Sequence, residues 1–119
     1  MIAQLPSLLL RLEGLVVLAA ALALYFDSGF GWLLLIVLFL APDVSMLGYV
    51  EGPAAGAAVY DVVHTYALPI ALGVVGVLGD SDTALQLALI WVAHIGADRL
   101  LGYGLKYPTG FSDTHLQRV

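Results

Sequence analysis

The sequence lacks cysteine and contains few charged residues. Without cysteine, disulfides, thiolate metal ligands and cysteine nucleophiles are excluded, and the redox compartment cannot be inferred. Only 11% of the 119 residues are charged, whereas charged residues make up about a quarter of a typical soluble domain. Four basic residues against nine acidic ones do not provide the clustered Lys and Arg that nucleic acid binding requires. We therefore exclude a soluble domain and a nucleic acid partner.

Hydrophobic residues, which form 61% of the chain, fall into four long runs. A transmembrane helix needs about 20 mostly apolar residues. We predict helices over residues 7–26, 30–50, 53–78 and 83–103, followed by a polar cytoplasmic tail over residues 104–119. The connections are short and leave no room for a soluble domain. The sequence thus predicts an all-α transmembrane bundle of four antiparallel helices, forming a single integral membrane domain over residues 1–119 that contacts the lipid bilayer.

The distribution of basic residues predicts the orientation of this bundle. Four spans place both termini on one side of the membrane, and every basic residue falls toward that side: Arg11, Arg99, Lys106 and Arg118. The opposite turns carry only acidic charges, Asp27, Asp80 and Asp82. By the positive-inside rule, we expect a multi-pass protein of the cell inner membrane with N- and C-termini cytoplasmic.

Several ionisable residues interrupt the apolar runs, each at a cost of about 2.5–3.5 kcal/mol on insertion scales. They are Arg11, Glu13, Asp43, Asp61, His64, His94, Asp98 and Arg99. With a helical rise of about 1.5 Å per residue, all of them fall in the cytoplasmic half of their helices. We therefore predict a polar site that opens toward the cytoplasm and is closed by an apolar outer half.

The spacing of these residues indicates which side chains face the bundle interior. Asp61 and His64 lie three residues apart, and His94 and Asp98 four apart, so each pair shares a helix face. Arg11 and Glu13 lie two apart and point in nearly opposite directions. Glu13 is then the better candidate for the core, while Arg11 reaches the headgroups.

Two histidines and four carboxylates form a ligand set suited to a divalent ion such as Zn, Mn or Fe. We predict Asp43, His64, His94 and Asp98 as metal ligands. Glu13 and Asp61 are then further ligands or a general base. Arg99 is predicted to clamp an anionic group.

Three functions fit this pattern. The first is a metal-binding, hydrolytic site that acts on an amphiphilic or anionic substrate from the inner leaflet. The second is a proton, ion or small-solute transport subunit, which with four spans would act as a homo-oligomer. The third is a structural membrane scaffold with buried ion pairs and no chemistry, since buried charges need partners whatever they do. Whether the protein is an enzyme is left open by the residues alone.

Three motifs carry a resemblance to a known family. They are APDVSMLGY at residues 41–49, VYDVVHTY at 59–66 and AHIGADRLLGYGLKYP at 93–108, followed by Thr114-His115. Together they resemble an uncharacterised bacterial family of small four-helix integral membrane proteins, catalogued as a domain of unknown function. The resemblance covers nearly the whole chain and implies the four-helix architecture without implying an activity.

A more distant similarity is to bacterial membrane-bound metal-dependent hydrolases. That family carries a Pro-Asp at a helix end, a middle histidine motif and a late His, Asp, Gly and Pro run. The matching positions are Pro42-Asp43, His64, His94, Asp98, Gly104 and Pro108. The middle motif of that family usually has two histidines, whereas this chain has only His64. The similarity implies metal-dependent hydrolysis at these positions.

Overall fold

The structure is a computed structural model that describes residues 5–43 and 52–102. Every regular element in these two ranges is helical. The helices are α1 (Leu5–Asp27), α2 (Trp32–Leu38), α3 (Pro53–Val63), α4 (Ala67–Leu78) and α5 (Asp82–Leu101). Because α3 and α4 are two parts of the third predicted segment, the prediction of an all-α bundle of four antiparallel helices is confirmed. The predicted tail at residues 104–119 and the end of the second predicted segment lie outside the described residues.

Three helical segments are long and apolar enough to cross a membrane: Leu5–Asp27, Ala54–Leu78 and Asp82–Leu101. The second predicted segment is described as a shorter apolar stretch, Trp32–Asp43, in which α2 continues through a turn into a 3-10 turn at residues 41–43. Large hydrophobic side chains are exposed along the outer faces, for example Val16 (60%), Ile36 (64%) and Val75 (63%). An exposed apolar surface of this extent is expected for a membrane protein whose outer faces contact lipid.

The third predicted segment is interrupted in its middle, between α3 and α4. Residues 64–66 form a turn rather than continuing the helix. Pro69 explains the break, because proline has no N–H to donate to the carbonyl of Thr65 and its ring clashes with that carbonyl. Pro69 instead occupies the first turn of α4, where a backbone N–H has no helical partner. The hydrophobic run is continuous in the sequence, but the helix is not.

Helix α5 is the central element of the bundle. It is the most buried of the three long segments, and its closest packing partners among the described helices are α1 and α4. Ser81 caps its N-terminus by accepting a hydrogen bond from the Ala84 N–H at 3.3 Å. Gly102 ends it in the left-handed conformation, with φ of +95°, which glycine adopts without steric cost.

Helices α1 and α5 cross at a contact between two glycines. A Cβ added at Gly14 would lie 2.7 Å from the Gly96 carbonyl oxygen, and one added at Gly96 would lie 2.9 Å from the Gly14 carbonyl oxygen. Small residues of this kind allow membrane helices to approach backbone to backbone. The contact fixes the rotation of α1, whose buried residues are Gly14, Ala21 and Tyr25.

The end of the bundle near Tyr25 is mainly apolar but contains one polar network. Tyr25 packs with Leu89 and Ile90 in the hydrophobic core. Its hydroxyl donates to the Gly31 carbonyl at 2.5 Å and accepts from Gln86 Nε2 at 3.1 Å. This network joins the α1–α2 turn to α5, and it was not anticipated from the ionisable residues alone.

Candidate metal centre

Four side chains from three parts of the chain converge inside the bundle: Asp43, His64, His94 and Asp98. One potential ligand atom from each lies within 4.8 Å of the other three. The histidine side chains are 0% and 2% exposed, whereas the carboxylates of Asp98 and Asp43 are 15% and 35% exposed. The structure thus brings together the four residues that the sequence predicted as metal ligands.

The hydrogen bonds of the two histidines define which ring nitrogen carries a proton. His64 Nδ1 lies 2.9 Å from the Tyr60 carbonyl oxygen, and His94 Nδ1 lies 2.6 Å from the Phe39 carbonyl oxygen. A carbonyl only accepts, so both Nδ1 atoms must donate. In a neutral ring, Nε2 is then left with a lone pair. Backbone carbonyls hold metal-binding histidines in the same way in known metal sites.

The two Nε2 atoms face each other at 3.2 Å. Two lone pairs at this distance repel each other unless a positive centre, either a proton or a metal ion, lies between them. Asp43 Oδ1 lies 3.2 Å from His64 Nε2 and 3.1 Å from His94 Nε2. Asp98 Oδ2 lies 3.6 Å and 3.2 Å from the same two nitrogens. The negative charges of both carboxylates therefore also favour a cation between the two Nε2 atoms.

These separations are close to those of a tetrahedral metal site. Zinc binds nitrogen and oxygen at about 2.0–2.2 Å, so the ligand atoms of a regular tetrahedron lie about 3.3–3.6 Å apart. Of the six ligand–ligand separations, one is 3.6 Å and four are 3.1 or 3.2 Å, slightly shorter than the tetrahedral range. The cluster has the size and the donor set for a single four-coordinate divalent ion.

Aromatic rings hold both imidazoles in place. Tyr60, one turn before His64, stacks on the His64 ring with centroids 3.7 Å apart and an interplanar angle of 8°. Phe39 meets the edge of the His94 ring at 5.5 Å. Asp43 is positioned by the 3-10 turn after α2, in which its backbone N–H donates to the Leu40 carbonyl at 3.0 Å. The ligands are therefore supported by packing as well as by hydrogen bonds.

The break between α3 and α4 leaves backbone carbonyls that α5 satisfies. Arg99 Nη2 donates to the His64 carbonyl at 3.0 Å, and Trp91 Nε1 donates to the Val63 carbonyl at 2.6 Å. Interrupted helices persist within a membrane only where such groups find partners. Two side chains of α5 thus hold the segment that carries His64 against the helix that carries His94 and Asp98.

The three residues predicted to have catalytic roles are not members of the cluster. Glu13 is exposed on α1 and Asp61 is half-buried on α3; neither belongs to the group of close ligand atoms found among the described residues. Arg99 is 6% exposed, with its guanidinium 5.9 Å from the centre of the Tyr66 ring. Asp61 interacts electrostatically with Arg99. Their catalytic roles stay predictions.

The expectation that Glu13 rather than Arg11 faces the core does not match the structure. The Gly14–Gly96 contact turns the Gly14 side of α1 toward α5. Arg11 lies three residues before Gly14, on nearly the same face, and a Cβ added at Gly102 would meet Arg11 Nη2 at 2.6 Å. Arg11 therefore lies at the C-terminus of α5, where a positive charge is favourable.

The supporting groups around the cluster were missed by sequence reasoning. The Tyr60 and Phe39 carbonyls belong to the main chain, so no residue type identifies them. Trp91 is not among the residues predicted from the sequence to belong to the site. Trp91 lies three residues before His94 and therefore on the same face of α5. This spacing was the feature of the sequence that could have placed Trp91 near the site.

Comparison with known proteins identifies the family but no activity. The family described as domain of unknown function DUF4260 matches residues 7–119. The chain belongs to this family. The match includes all four residues of the cluster. No curated protein and no solved structure shows a significant match to the chain.

Replacing Arg99 should weaken the metal site through the backbone rather than by removing a ligand. We expect Arg99→Lys to lower the affinity for a divalent ion by about 10–100-fold, the usual cost of losing a supporting contact around a metal site. A lysine lacks the planar guanidinium group, which donates to the His64 carbonyl and lies beside the Tyr66 ring. Competition with a metal-sensitive dye in detergent measures the affinity.

The matched control is Arg11→Lys, which makes the same change in an exposed arginine at the same end of the bundle. We expect its metal affinity to stay within about two-fold of the starting protein, because lysine retains the charge that interacts with the helix terminus. Equal losses in the two variants would contradict the role assigned to the Arg99–His64 contact.

Proposed function

We propose that the protein binds one divalent transition metal ion at Asp43, His64, His94 and Asp98, and uses it to hydrolyse a membrane amphiphile. The observation that carries this proposal is the pair of Nε2 atoms facing each other at 3.2 Å with both Nδ1 atoms committed to carbonyls. The donor set suits Zn, Mn or Fe, and the near-tetrahedral spacing favours zinc.

The unequal burial of the four ligands favours a catalytic metal site over a purely structural one. Structural zinc sites are closed by four protein ligands, whereas catalytic sites keep three and leave one position for water or substrate. His64, His94 and Asp98 form the enclosed set, and Asp43, at 35% exposure, is the ligand most open to its surroundings. The enclosed set has two histidines and one carboxylate, a combination known from zinc hydrolases.

In this proposal the ion supplies Lewis-acid chemistry, polarising a carbonyl or phosphoryl oxygen and activating water. Asp43, the most exposed of the four ligands, would give up its position to water and accept a proton from it as the water oxygen bonds to the acyl carbon or phosphorus. The ester bond then breaks, and the proton passes to the leaving oxygen. Water is consumed, and an acid and an alcohol are produced. The similarity of Pro42-Asp43, His64, His94 and Asp98 to motifs of membrane-bound metal-dependent hydrolases supports this use of the site.

The proposed setting is the cytoplasmic half of the cell inner membrane, with both termini in the cytoplasm. The four basic residues and the positive-inside rule support this orientation. An amphiphilic or anionic substrate would then enter from the inner leaflet. Proton or ion transport by a homo-oligomer and a scaffold without chemistry are the outcomes that the following experiment distinguishes from hydrolysis.

The experiment compares Asp43→Asn with Asp80→Asn, which makes the same change in an exposed turn at the other end of the bundle. We expect elemental analysis of the starting protein to give one transition metal ion per chain. Asp43→Asn should retain most of this metal through the three enclosed ligands and lose more than 90% of metal-dependent ester hydrolysis. Asp80→Asn should keep both properties.

Each other outcome has a definite reading. Complete loss of metal from Asp43→Asn would indicate a closed structural site. A metal-free protein with proton flux in liposomes would favour transport. A metal-free protein with no flux, destabilised by each replacement in the cluster, would favour the scaffold.

A further inference from the structure

A cavity of about 290 Å³ lies beside the metal cluster, between the end of α2, the end of α3 and the middle of α5. Its walls include Leu38, Pro42, Val63, Ile90 and Trp91. Three of these residues adjoin cluster ligands in the chain: Pro42 precedes Asp43, Val63 precedes His64, and Trp91 lies one helical turn before His94. The cavity and the cluster are therefore built by the same three segments.

The walls of this cavity offer apolar contacts. Trp91 carries the only side-chain N–H among the lining residues, and it donates to the Val63 carbonyl at 2.6 Å. A polar ligand would therefore find no side-chain hydrogen-bond partner along these walls. A hydrocarbon chain has no polar groups, so its burial there leaves no hydrogen bond unmade. Two further lining residues, Ala41 and Leu87, are exposed on the outer surface of the bundle, so the cavity is reached from the lipid side.

The charges near the cluster are complementary to an anionic headgroup. Arg99 donates to the backbone carbonyl of His64, and Arg11 lies at the C-terminus of α5 beside Gly102. A divalent ion at the cluster would offset the negative charges of Asp43 and Asp98, so that the two arginines remain as the positive groups near the site. An apolar cavity whose neighbouring site is bordered by arginines matches an amphiphile, with its chain in the cavity and its headgroup toward the cluster.

We propose that this cavity binds one acyl chain of an anionic phospholipid whose headgroup region reaches the metal cluster. This inference rests on the proposed function and names its substrate class. One chain is assigned because about 290 Å³ lies at the lower limit of the 300–1,000 Å³ typical of small-molecule sites. The chain enters sideways from the bilayer without crossing water.

The two tryptophans of the chain provide a direct test. Trp91 lines the cavity, whereas Trp32 is 63% exposed on α2. Trp32→Phe leaves Trp91 as the only tryptophan, and Trp91→Phe leaves Trp32. Each protein is titrated in detergent with a phosphatidylglycerol whose acyl chains carry bromine, which quenches tryptophan fluorescence on contact. We expect saturable quenching of Trp91 at about one lipid per chain, and quenching of Trp32 that rises linearly with lipid. The same linear response from both would overturn the proposal.

A cavity-filling variant and its control sharpen the test. In the Trp32→Phe background, Ala41→Phe places a large side chain in the cavity and should weaken the saturable quenching at least ten-fold. Ala23→Phe makes the same change on an exposed position of α1 and should leave it unchanged. A brominated phosphatidylcholine should bind at least ten-fold more weakly than the anionic lipid, and equal binding would overturn the assignment of an anionic headgroup.

Metal content measured in the same samples separates this proposal from the proposed function. Linear quenching of Trp91 in a protein that holds its metal contradicts the acyl-chain site alone. Saturable quenching in a protein that never binds metal contradicts the metal-dependent function and leaves the acyl-chain site standing. If Ala41→Phe does not fold, the form of the Trp91 quenching in Trp32→Phe still decides, because this variant changes only a side chain that is 63% exposed.

Discussion

Removing either histidine should abolish stoichiometric metal binding. In His64→Ala or His94→Ala, one of the two facing Nε2 donors is lost, and only three ligands remain. Loss of a supporting residue typically weakens a metal site by about 10–100-fold, so we expect loss of one of the two enclosed histidine ligands to weaken it by more than about 100-fold. Elemental analysis after purification and titration with zinc measures both stoichiometry and affinity.

The same variants should lose stabilisation by metal. A ligand present at about 100–1,000 times its dissociation constant stabilises the folded state by about 3–4 kcal/mol. The starting protein should therefore gain roughly this free energy of unfolding when zinc is added, and the histidine variants should gain at most about 1.4 kcal/mol. Thermal unfolding in detergent, with and without zinc, gives the comparison.

Gln86→Ala is the matched control. It removes a polar side chain from α5, the helix that carries His94, and Gln86 donates to the Tyr25 hydroxyl at 3.1 Å rather than to the cluster. It should keep one ion per chain and the full response to zinc. If His94→Ala does not fold, His94→Gln retains a polar side chain at the same position and serves instead. Full metal content in both histidine variants would exclude the cluster as the metal site.

Gly14→Ala should separate α1 from α5. The added methyl group would lie 2.5 Å from Arg99 Cβ and 2.7 Å from both the Gly96 carbonyl oxygen and the Leu100 backbone nitrogen. Two of these three atoms belong to the backbone and cannot rotate away, so the helices must move apart. Overpacking costs about 1–3 kcal/mol, and we expect the upper end of this range from unfolding in detergent.

Gly73→Ala is the comparison, because it makes the same change where there is room. Its Cβ would lie 3.5 Å from Ala88 Cβ, an ordinary contact, and alanine favours a helix over glycine by up to about 1 kcal/mol. We therefore expect Gly73→Ala to be neutral or stabilising. If Gly14→Ala is tolerated as well as Gly73→Ala, the glycine contact does not hold α1 to α5.

The grouping of the four predicted metal ligands was predictable from the sequence, and the rotation of α1 was not. Helical rise and the antiparallel order place Asp43, His64, His94 and Asp98 at similar depth before any packing is known, and the structure groups these four residues. Facing depends on how each helix is rotated. For α1 the Gly14–Gly96 contact sets that rotation, and for this reason Glu13 is exposed while Arg11 reaches Gly102.

The break after α3 shows a second limit of the sequence. Pro69 lies within an apolar run that is long enough to span a membrane. Hydropathy detects this run, but it does not show that the backbone of Pro69 has no N–H to donate to the Thr65 carbonyl. The partners of the freed carbonyls, Arg99 and Trp91, come from another helix. They depend on the relative placement of α3 and α5, which composition and periodicity do not define.

The central position of α5 has a consequence for biosynthesis. The close helix pairs among the described residues, α1 with α5 and α4 with α5, both involve this helix, and it follows the other described helices in the chain. During N-to-C synthesis, α1 and α4 are therefore translated before their main packing partner among the described helices. If the proposed ion binds, the complete cluster can capture it only after His94 and Asp98, the last two ligands in the chain, have been synthesised.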